Sequence, residues 1–373
     1  MKLSNEGKTG VPEAIALATM FIGVDVFSAY PARMADLGLS AGWMVSLVSA
    51  MVGGLLGVFI LGSLMARFPE SSIVEIAEEV LGRWLGPVVS VGYVVFFLVL
   101  TALTVRQYSE RILTVFLPTT PPTAIIVFFL FVIVIGCYLG LETMGRAAVF
   151  TFPLVFAAIL LPLFLVFPFW NHHNLFPLVG SGPTRVISQG VIQSSLYGQL
   201  LVLAAVHPLI RVKQKKYRLW LIVAALSAVI LVSASLFTTM VFPVPVLREN
   251  LFVMLQAARL IFFGRFVQRI EPIFISFWII GVLFKMMAGF YITLTLLTRV
   301  LKLQYYRPFL FPMAVITFSL ALLPPNFMTV INLAMAIFWD WGWIPGFAIP
   351  LLLLVMAGMR GKKGVTPGDQ IQE

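Results

Sequence analysis

The stretch Gly23-Val24-Asp25-Val26-Phe27-Ser28-Ala29-Tyr30-Pro31 decides how this chain is read. It lies inside the apolar segment Pro12–Met34, which is long enough to cross a bilayer as one helix of about 20 residues. Gly23 weakens a helix interior, Asp25 demands a partner when buried, and Pro31 removes a backbone donor and clashes with the preceding turn. A helix carrying all three near its middle is expected to be discontinuous.

A counterpart lies further along. The apolar segment Val186–Ile210 has a polar, glycine-bearing centre made of Gly190, Gln193, Ser194, Ser195, Tyr197, Gly198 and Gln199. By apolar windows these are the first and sixth spans, five spans apart. Transporter folds with inverted repeats place interrupted helices at matching positions of the two halves, where half-helix N-termini hold an anionic group and freed carbonyls hold a cation. Glycine and proline also occur in membrane helices that only pack together, with polar side chains tying neighbours. The matched positions favour the site reading.

A charge marks the eighth span. Lys285 is at the midpoint of Ile273–Leu297, an otherwise uncharged stretch of about 25 residues. At about 1.5 Å per residue its ammonium is roughly 18 Å from either end, beyond the reach of a snorkelling side chain. An unpaired lysine at that depth costs about 2.5–3.5 kcal/mol on insertion scales, so it points to function and to a partner. Gly281, Ala288 and Gly289 share its helical face, and small residues let helices approach, so Lys285 is expected to face protein. Asp25, carbonyls of the broken first helix or a ligand carboxylate can each serve as partner. A lysine that only ties two helices together accounts for the same residues.

Composition agrees with a membrane protein. The 373 residues are 60% hydrophobic and 11% charged, where a soluble domain carries about a quarter charged residues. The net charge of +10 comes from 25 Lys+Arg against 15 Asp+Glu. Basic residues fall in short loops, as cytoplasmic loops require, and no nucleic-acid role is expected. Ten spans are expected: Pro12–Met34, Gly42–Ala66, Pro87–Val105, Pro122–Leu141, Ala147–Phe167, Val186–Ile210, Leu219–Phe242, Ile273–Leu297, Pro308–Leu323 and Ile344–Met359. The loop Arg211, Lys213, Lys215, Lys216, Arg218 and the group Arg299, Lys302, Arg307 then lie inside, with both termini. Lys2 and Lys8 ahead of the first apolar run faintly suggest a signal peptide, but Glu13 and Asp25 interrupt that run and suit a first transmembrane segment better.

The stretch Asn326–Trp341 is expected as a partial, re-entrant or interfacial helix, with Trp339, Trp341 and Trp343 marking a membrane surface beside an interfacial Asp340. Pro243–Arg269 mixes Arg248, Glu249, Arg259, Arg265 and Arg269 with Leu251, Phe252, Leu255, Leu260 and Phe263, the pattern of an amphipathic helix lying on the bilayer. Phe169–Pro183, with Asn171, His172 and His173, reads as a turn-rich external loop. In the third span Thr101 is the polar residue placed to line a pocket. Arg106 and Glu110, past its outer end with Arg111, are spaced for a surface ion pair worth little. Glu75, Glu78, Glu79, Glu142 and Arg146 are expected in solvated cytoplasmic loops.

The whole of 1–373 reads as one membrane domain, with inverted repeats near 11–168 and 184–359. Cys137 is the single cysteine, which rules out an intrachain disulfide, and His172, His173 and His207 form no metal-ligand pattern. No nucleotide-binding loop or nucleophile motif occurs, so neither a cofactor nor enzymatic activity is expected.

Several stretches resemble the B subunits of bacterial spore germinant receptors, in the amino acid–polyamine–organocation superfamily of transporters. They are Arg259, Ile261, Gly264 and Phe266 followed by Arg269-Ile270-Glu271-Pro272-Ile273-Phe274-Ile275, Trp278-Ile279 and Lys285; Phe68-Pro69-Glu70; Leu81-Gly82-Arg83-Trp84-Leu85-Gly86; Leu117-Pro118-Thr119-Thr120-Pro121-Pro122; Gly140-Leu141-Glu142-Thr143 with Arg146; and Tyr306-Arg307-Pro308. The resemblance implies an all-α, leucine-transporter-like 5+5 inverted repeat of about ten helices, the first and sixth broken. It also implies germinant sensing in the spore inner membrane beside an A subunit and a lipoprotein C subunit. That family often has a glutamate after the sixth-helix glycine, where this chain has Gln199, and an acid at Asp25 is a further departure. The ligand contacts expected on this reading are Gly23, Val24, Asp25, Thr101, Ser194, Tyr197, Gly198, Gln199 and Lys285, around a small germinant such as an amino acid. A secondary transporter of amino acids or cations, with alternating access around the same site, is the rival reading.

Overall fold

The computed structural model describes residues 7–211, 216–261 and 271–364. Lys213 and Lys215 of the basic loop, and Phe263, Gly264, Arg265, Phe266, Arg269 and Ile270 ahead of the eighth span, lie outside the described residues. Within them the chain is all-helical apart from connections and one isolated bridge between Thr9 and Ile210.

Helix α1 (Val11–Gly23) has Pro12 in its first turn, where a missing N–H costs nothing. It passes into a 3-10 turn, Val24–Phe27, and then through Ser28 in an extended conformation, φ −81° and ψ −161°. Ser28 Oγ and the Ser28 N–H both donate to the Asp25 carbonyl, at 2.5 and 2.9 Å, and close the turn. Helix α2 (Tyr30–Gly38) begins afresh with Pro31 in its first turn. The first membrane helix is therefore broken where Gly23, Asp25 and Pro31 indicated. At Leu39 the backbone takes φ +55° and ψ −128°, and the chain reverses into α3 (Gly42–Arg67). A β-carbon on Gly42 would lie 2.7 Å from the Met34 carbonyl oxygen, so the reversal needs glycine there.

Helix α4 (Ile73–Val115) is much longer than the expected Pro87–Val105. Glu75, Glu78, Glu79, Arg106, Glu110 and Arg111 are all helical, not in loops or beyond its end. Of these, Glu75 accepts from the Ser72 N–H at 2.7 Å and pairs with Arg299 at 2.6 Å, while Glu79 remains exposed. Arg106 pairs with Glu110 at 2.7 Å as the spacing indicated, but with only 9% and 16% of the two side chains exposed the pair is largely buried. Helical geometry breaks once, at Gly82, where φ +82° favours glycine.

Helices α5 (Pro122–Leu139) and α6 (Leu141–Leu165) follow, then the sixth crossing. That crossing is α7 (Pro183–Gln193), a 3-10 stretch Ser194–Leu200 and α8 (Leu201–Val206). Its interruption is an overwound segment, without the extended residue that parts α1 from α2. Helix α9 (Lys216–Val241) makes the seventh crossing.

Within its described residues, 243–261, the expected amphipathic surface helix is instead two short ones, α10 (Val244–Glu249) and α11 (Val253–Arg259). Both are held to the bundle: Leu247 and Val253 bury beside Ala35, Arg248 pairs with Asp36 at 2.7 Å, and Met254, Leu255, Ala257 and Ala258 are buried. Of the apolar residues that looked lipid-facing, Leu255 is buried and Phe252 packs against the core.

Helices α12 (Glu271–Val300) and α13 (Leu310–Leu322) precede the last crossing, which starts at α14 (Phe327–Ala334) under an Asn326 cap. It continues through π-helical stretches Met335–Asp340 and Ile344–Ala348 into α15 (Ile349–Met359). Asn326–Trp341 is thus the first half of the tenth crossing and not a separate partial helix. Pro345 and Pro350 lack N–H donors, and wide turns absorb that loss without ending the helix. Trp339 is buried with its ring edge-on to Tyr30 at 5.9 Å, so it marks no membrane surface, and Asp340 pairs with Arg33 at 3.2 Å.

Eight of the described helical stretches, each of at least 18 residues, are long and apolar enough to cross a membrane. One of them, Tyr30–Arg67, contains the reversal at Leu39, so α2 belongs with α1 as one broken rod. That rod and the short α13 bring the bundle to the ten crossings expected. Helix α1 sits among α6, α9 and α12, while α3 packs on α9 and α4 on α12, the second rod with the seventh and the third with the eighth. Both breaks therefore lie in the interior.

Candidate functional site

The two breaks meet at one polar cluster. Asp25 is in the 3-10 turn after α1, Gln199 in the 3-10 stretch between α7 and α8, and Lys285 on α12. Lys285 Nζ donates to Asp25 Oδ1 and, at 3.0 Å, to Gln199 Oε1. Gln199 Nε2 donates to Asp25 Oδ2 at 2.6 Å. The three side chains form a closed ring in which both carboxylate oxygens and both ends of the amide are engaged. The Phe21 ring covers the ammonium, its centroid 5.1 Å from Nζ. Only 5% of the Lys285 side chain and 10% of that of Asp25 are exposed. Charges taken this far from water hold together only if paired and hydrogen-bonded, and here they are.

A cavity of about 30 Å³ adjoins the ring, lined by Asp25, Gln199 and Lys285 with Ser28, Ala29, Leu100, Thr104, Gln107, Tyr108, Ile331, Ala334, Met335, Phe338 and Trp339. That is about one water's share of liquid volume, far below the roughly 300 Å³ at which small-molecule pockets begin. The site is closed. Tyr108 shuts one side, donating to the Val24 carbonyl at 3.0 Å and packing its ring 6.0 Å from that of Trp278.

Of the nine residues singled out in the sequence, Asp25, Gln199 and Lys285 come together at the cavity. The others are placed elsewhere. Val24 offers its carbonyl to Tyr108, and its side chain meets the Gly281 surface, where a β-carbon would be 2.9 Å from Val24 Cγ1. Gly23 faces Ile230 of α9, with 2.7 Å left for a β-carbon. It is also the C-terminal end of α1, so the helix end it presents carries carbonyls, and the N-terminus bordering the cavity is that of α2 at Ala29. Thr101 donates to the Phe97 carbonyl at 2.8 Å and faces Gly289. Ser194 and Tyr197 are buried against Gly53 of α3.

Gly198 is the crossing point with the last helix. A β-carbon on it would lie 3.0 Å from the Gly342 carbonyl oxygen and 3.2 Å from Gly346 Cα. Nearby, Ser195 Oγ donates to the Trp339 carbonyl and Tyr93 Oη donates to that of Pro345 at 3.1 Å, so side chains satisfy carbonyls of the π-helical stretches. Missed from sequence were Ser28, Gln107 and the α14 face. Leu100, Thr104, Gln107 and Arg111 follow helical spacing along α4, and that stripe was the signal available.

Two internal breaks joined by a buried charged cluster define a membrane protein of leucine-transporter-like fold. Solved structures agree. MhsT in complex with L-phenylalanine aligns with a TM-score of 0.68 at 11% identity, covering 96% of this chain and 100% of that one. Mhp1, a nucleobase-cation-symport-1 family transporter in a closed conformation with bromovinylhydantoin bound, gives 0.65 at 13% identity, over 95% of this chain and 93% of that one. At these identities the likeness concerns the fold. The family described as "Spore germination protein" matches residues 14–329, and the chain belongs to it. Spore germination protein KB of Bacillus subtilis (strain 168) is 22% identical over 358 residues, 94% of this chain and 96% of the relative. Family membership and the apolar helices together make the chain an integral membrane protein of the spore germination family.

Proposed function

We propose that the chain is the membrane subunit of a spore germinant receptor and binds a small zwitterionic germinant, an amino acid, at the Asp25–Gln199–Lys285 ring. The observation that carries this reading is that ring: it joins the breaks of the first and sixth helices through groups a zwitterion can exchange with. The ligand ammonium takes the place of Lys285 on Asp25, and the released lysine meets the ligand carboxylate. Thr101, Ser194 and Tyr197 shape the surroundings, with Gly23, Val24 and Gly198 setting the helix approach. Binding requires the roughly 30 Å³ cavity to widen, so the ligand favours an arrangement with the breaks moved apart. A signal follows only because affinity differs between the two arrangements. The halves 11–168 and 184–359 are the bodies that move, and A and lipoprotein C subunits receive the change. The setting is the spore inner membrane with both termini on the core side, by the distribution of basic residues.

A second reading is favoured by the solved relatives of the fold, which are transporters. In it the same exchange at Asp25 moves the ligand across. Binding and uptake of labelled amino acids by the purified chain in liposomes test both. Saturable binding without uptake is the receptor result; coupled uptake without partner subunits would replace it with the transporter.

A further inference from the structure

Arg111 is, with Lys285 and Arg106, one of the buried cations, and among the described residues no carboxylate meets it. It is fully buried near the end of α4, and none of the ion pairs among the described residues includes it. Glu110, its neighbour in sequence, is engaged by Arg106 at 2.7 Å. Arg111 Nη1 donates to the Leu251 carbonyl at 3.0 Å, while Nε and Nη2 have no hydrogen-bond partner. Three rings surround the guanidinium, with centroids 5.2 Å away for Phe252 and 5.8 Å for both Tyr108 and Phe327. Aromatic faces attract a cation but accept no hydrogen bond as strong as an oxygen accepts, so the N–H groups of two nitrogens are left pointing at nothing that satisfies them. An uncompensated buried charge is among the most destabilising features a fold carries.

The place of Arg111 gives that charge a use. It lies on α4 one turn beyond Gln107 and Tyr108, which line the central cavity, and Phe327 lies one turn before Ile331 of the cavity wall on α14. Its surroundings therefore continue the cavity column by one turn on two helices. Nε and one Nη of a guanidinium form the planar fork that fits a carboxylate through two parallel hydrogen bonds. Arg111 is fully buried and does not line the central cavity, so a bulky acidic side chain from another protein is excluded and a small acid reaches the guanidinium only as the surrounding rings part.

We propose that Arg111 is a carboxylate-binding site, distinct from the Asp25–Gln199–Lys285 ring, which holds the carboxylate of a small organic acid one helical turn beyond the central cavity. This rests on the zwitterion reading for its link to function: an amino acid held there is one turn from the ring, and on moving into it exchanges Arg111 for Lys285 as the partner of its carboxylate. The full chain in lipid nanodiscs, with nitrogen-15 in its arginine side chains, provides the test. The Arg111 Nε–H resonance is assigned by its loss in Arg111→Lys and Arg111→Gln, two variants so that one failing to fold does not stop the assignment.

Sodium acetate and glycine are expected to shift that resonance, whereas sodium chloride and glycinamide leave it in place. Arg111→Gln is expected to weaken glycine binding roughly tenfold to hundredfold. A resonance unmoved by acetate to about 100 mM, a hundredfold above a millimolar dissociation constant, overturns the proposal, as does an equal shift with chloride. If glycine binds at the Asp25 ring while Arg111 is silent, this site falls and the germinant reading stands. If acetate shifts Arg111 while no amino acid perturbs the ring, the site stands and the germinant reading falls.

Discussion

Gln199 Nε2 donates to Asp25 Oδ2 at 2.6 Å, across 174 positions of sequence, and ties the overwound stretch of the sixth helix to the break of the first. An amide suits this position because it gives and accepts at once: its oxygen takes the Lys285 ammonium at 3.0 Å while its nitrogen serves the carboxylate. The ring is uncharged as a whole, one cation against one anion.

Replacing Gln199 by glutamate, the residue the germinant-receptor B subunits often carry there, puts a second carboxylate beside Asp25 and removes the donor. Gln199→Glu is expected to lose about 1–3 kcal/mol of stability at neutral pH, read as a lower unfolding midpoint in detergent. A midpoint equal to that of the parent protein would show that the amide does not bridge the two helices.

Breaking the ion pair from one side is costlier than removing it whole. Asp25→Asn and Lys285→Met each leave a buried charge uncompensated, at about 3–5 kcal/mol, while the double variant is expected to recover most of that loss. Unfolding midpoints of the three variants decide it. A double variant no more stable than the weaker single one means that Asp25 and Lys285 are stabilised independently.

Gly198 and Gly346 let the sixth and last helices touch backbone to backbone. Gly198→Ala is expected to cost about 1–3 kcal/mol through overpacking, whereas Gly358→Ala, with nothing within 4 Å of its added carbon, leaves stability unchanged. Thermal unfolding of the two alanine variants side by side measures the difference. Equal midpoints would contradict the close crossing.

Polar residues stranded in apolar stretches were legible in the sequence, because each had to find a partner. Asp25, Gln199 and Lys285 were found this way, and Gly23, Asp25 and Pro31 together bracketed the break that follows α1. The ends of α4 were not legible, since Glu75 and Arg111 lower the hydropathy of segments that the fold nevertheless keeps helical, Glu75 paired with Arg299 and Arg111 fully buried. The α14 face was hidden for the opposite reason: Ile331, Met335 and Phe338 look like any lipid-facing residues until the fold turns them inward. Gly23 and Gly198 were noticed as helix breakers, and the structure shows what crowds them, Ile230 for one and the last helix for the other.

The central claim is that occupancy of the Asp25 ring is what the protein senses. Dose–response curves for germination with each amino acid, on spores carrying Asp25→Asn and shown by immunoblot to hold normal amounts of the protein, test it most directly. The ring predicts that the amino-acid response is lost or moves to at least tenfold higher concentration, by the loss of one charge-assisted hydrogen bond of about 1.5–3 kcal/mol. Curves that superimpose on those of the parent spores for every amino acid would contradict it.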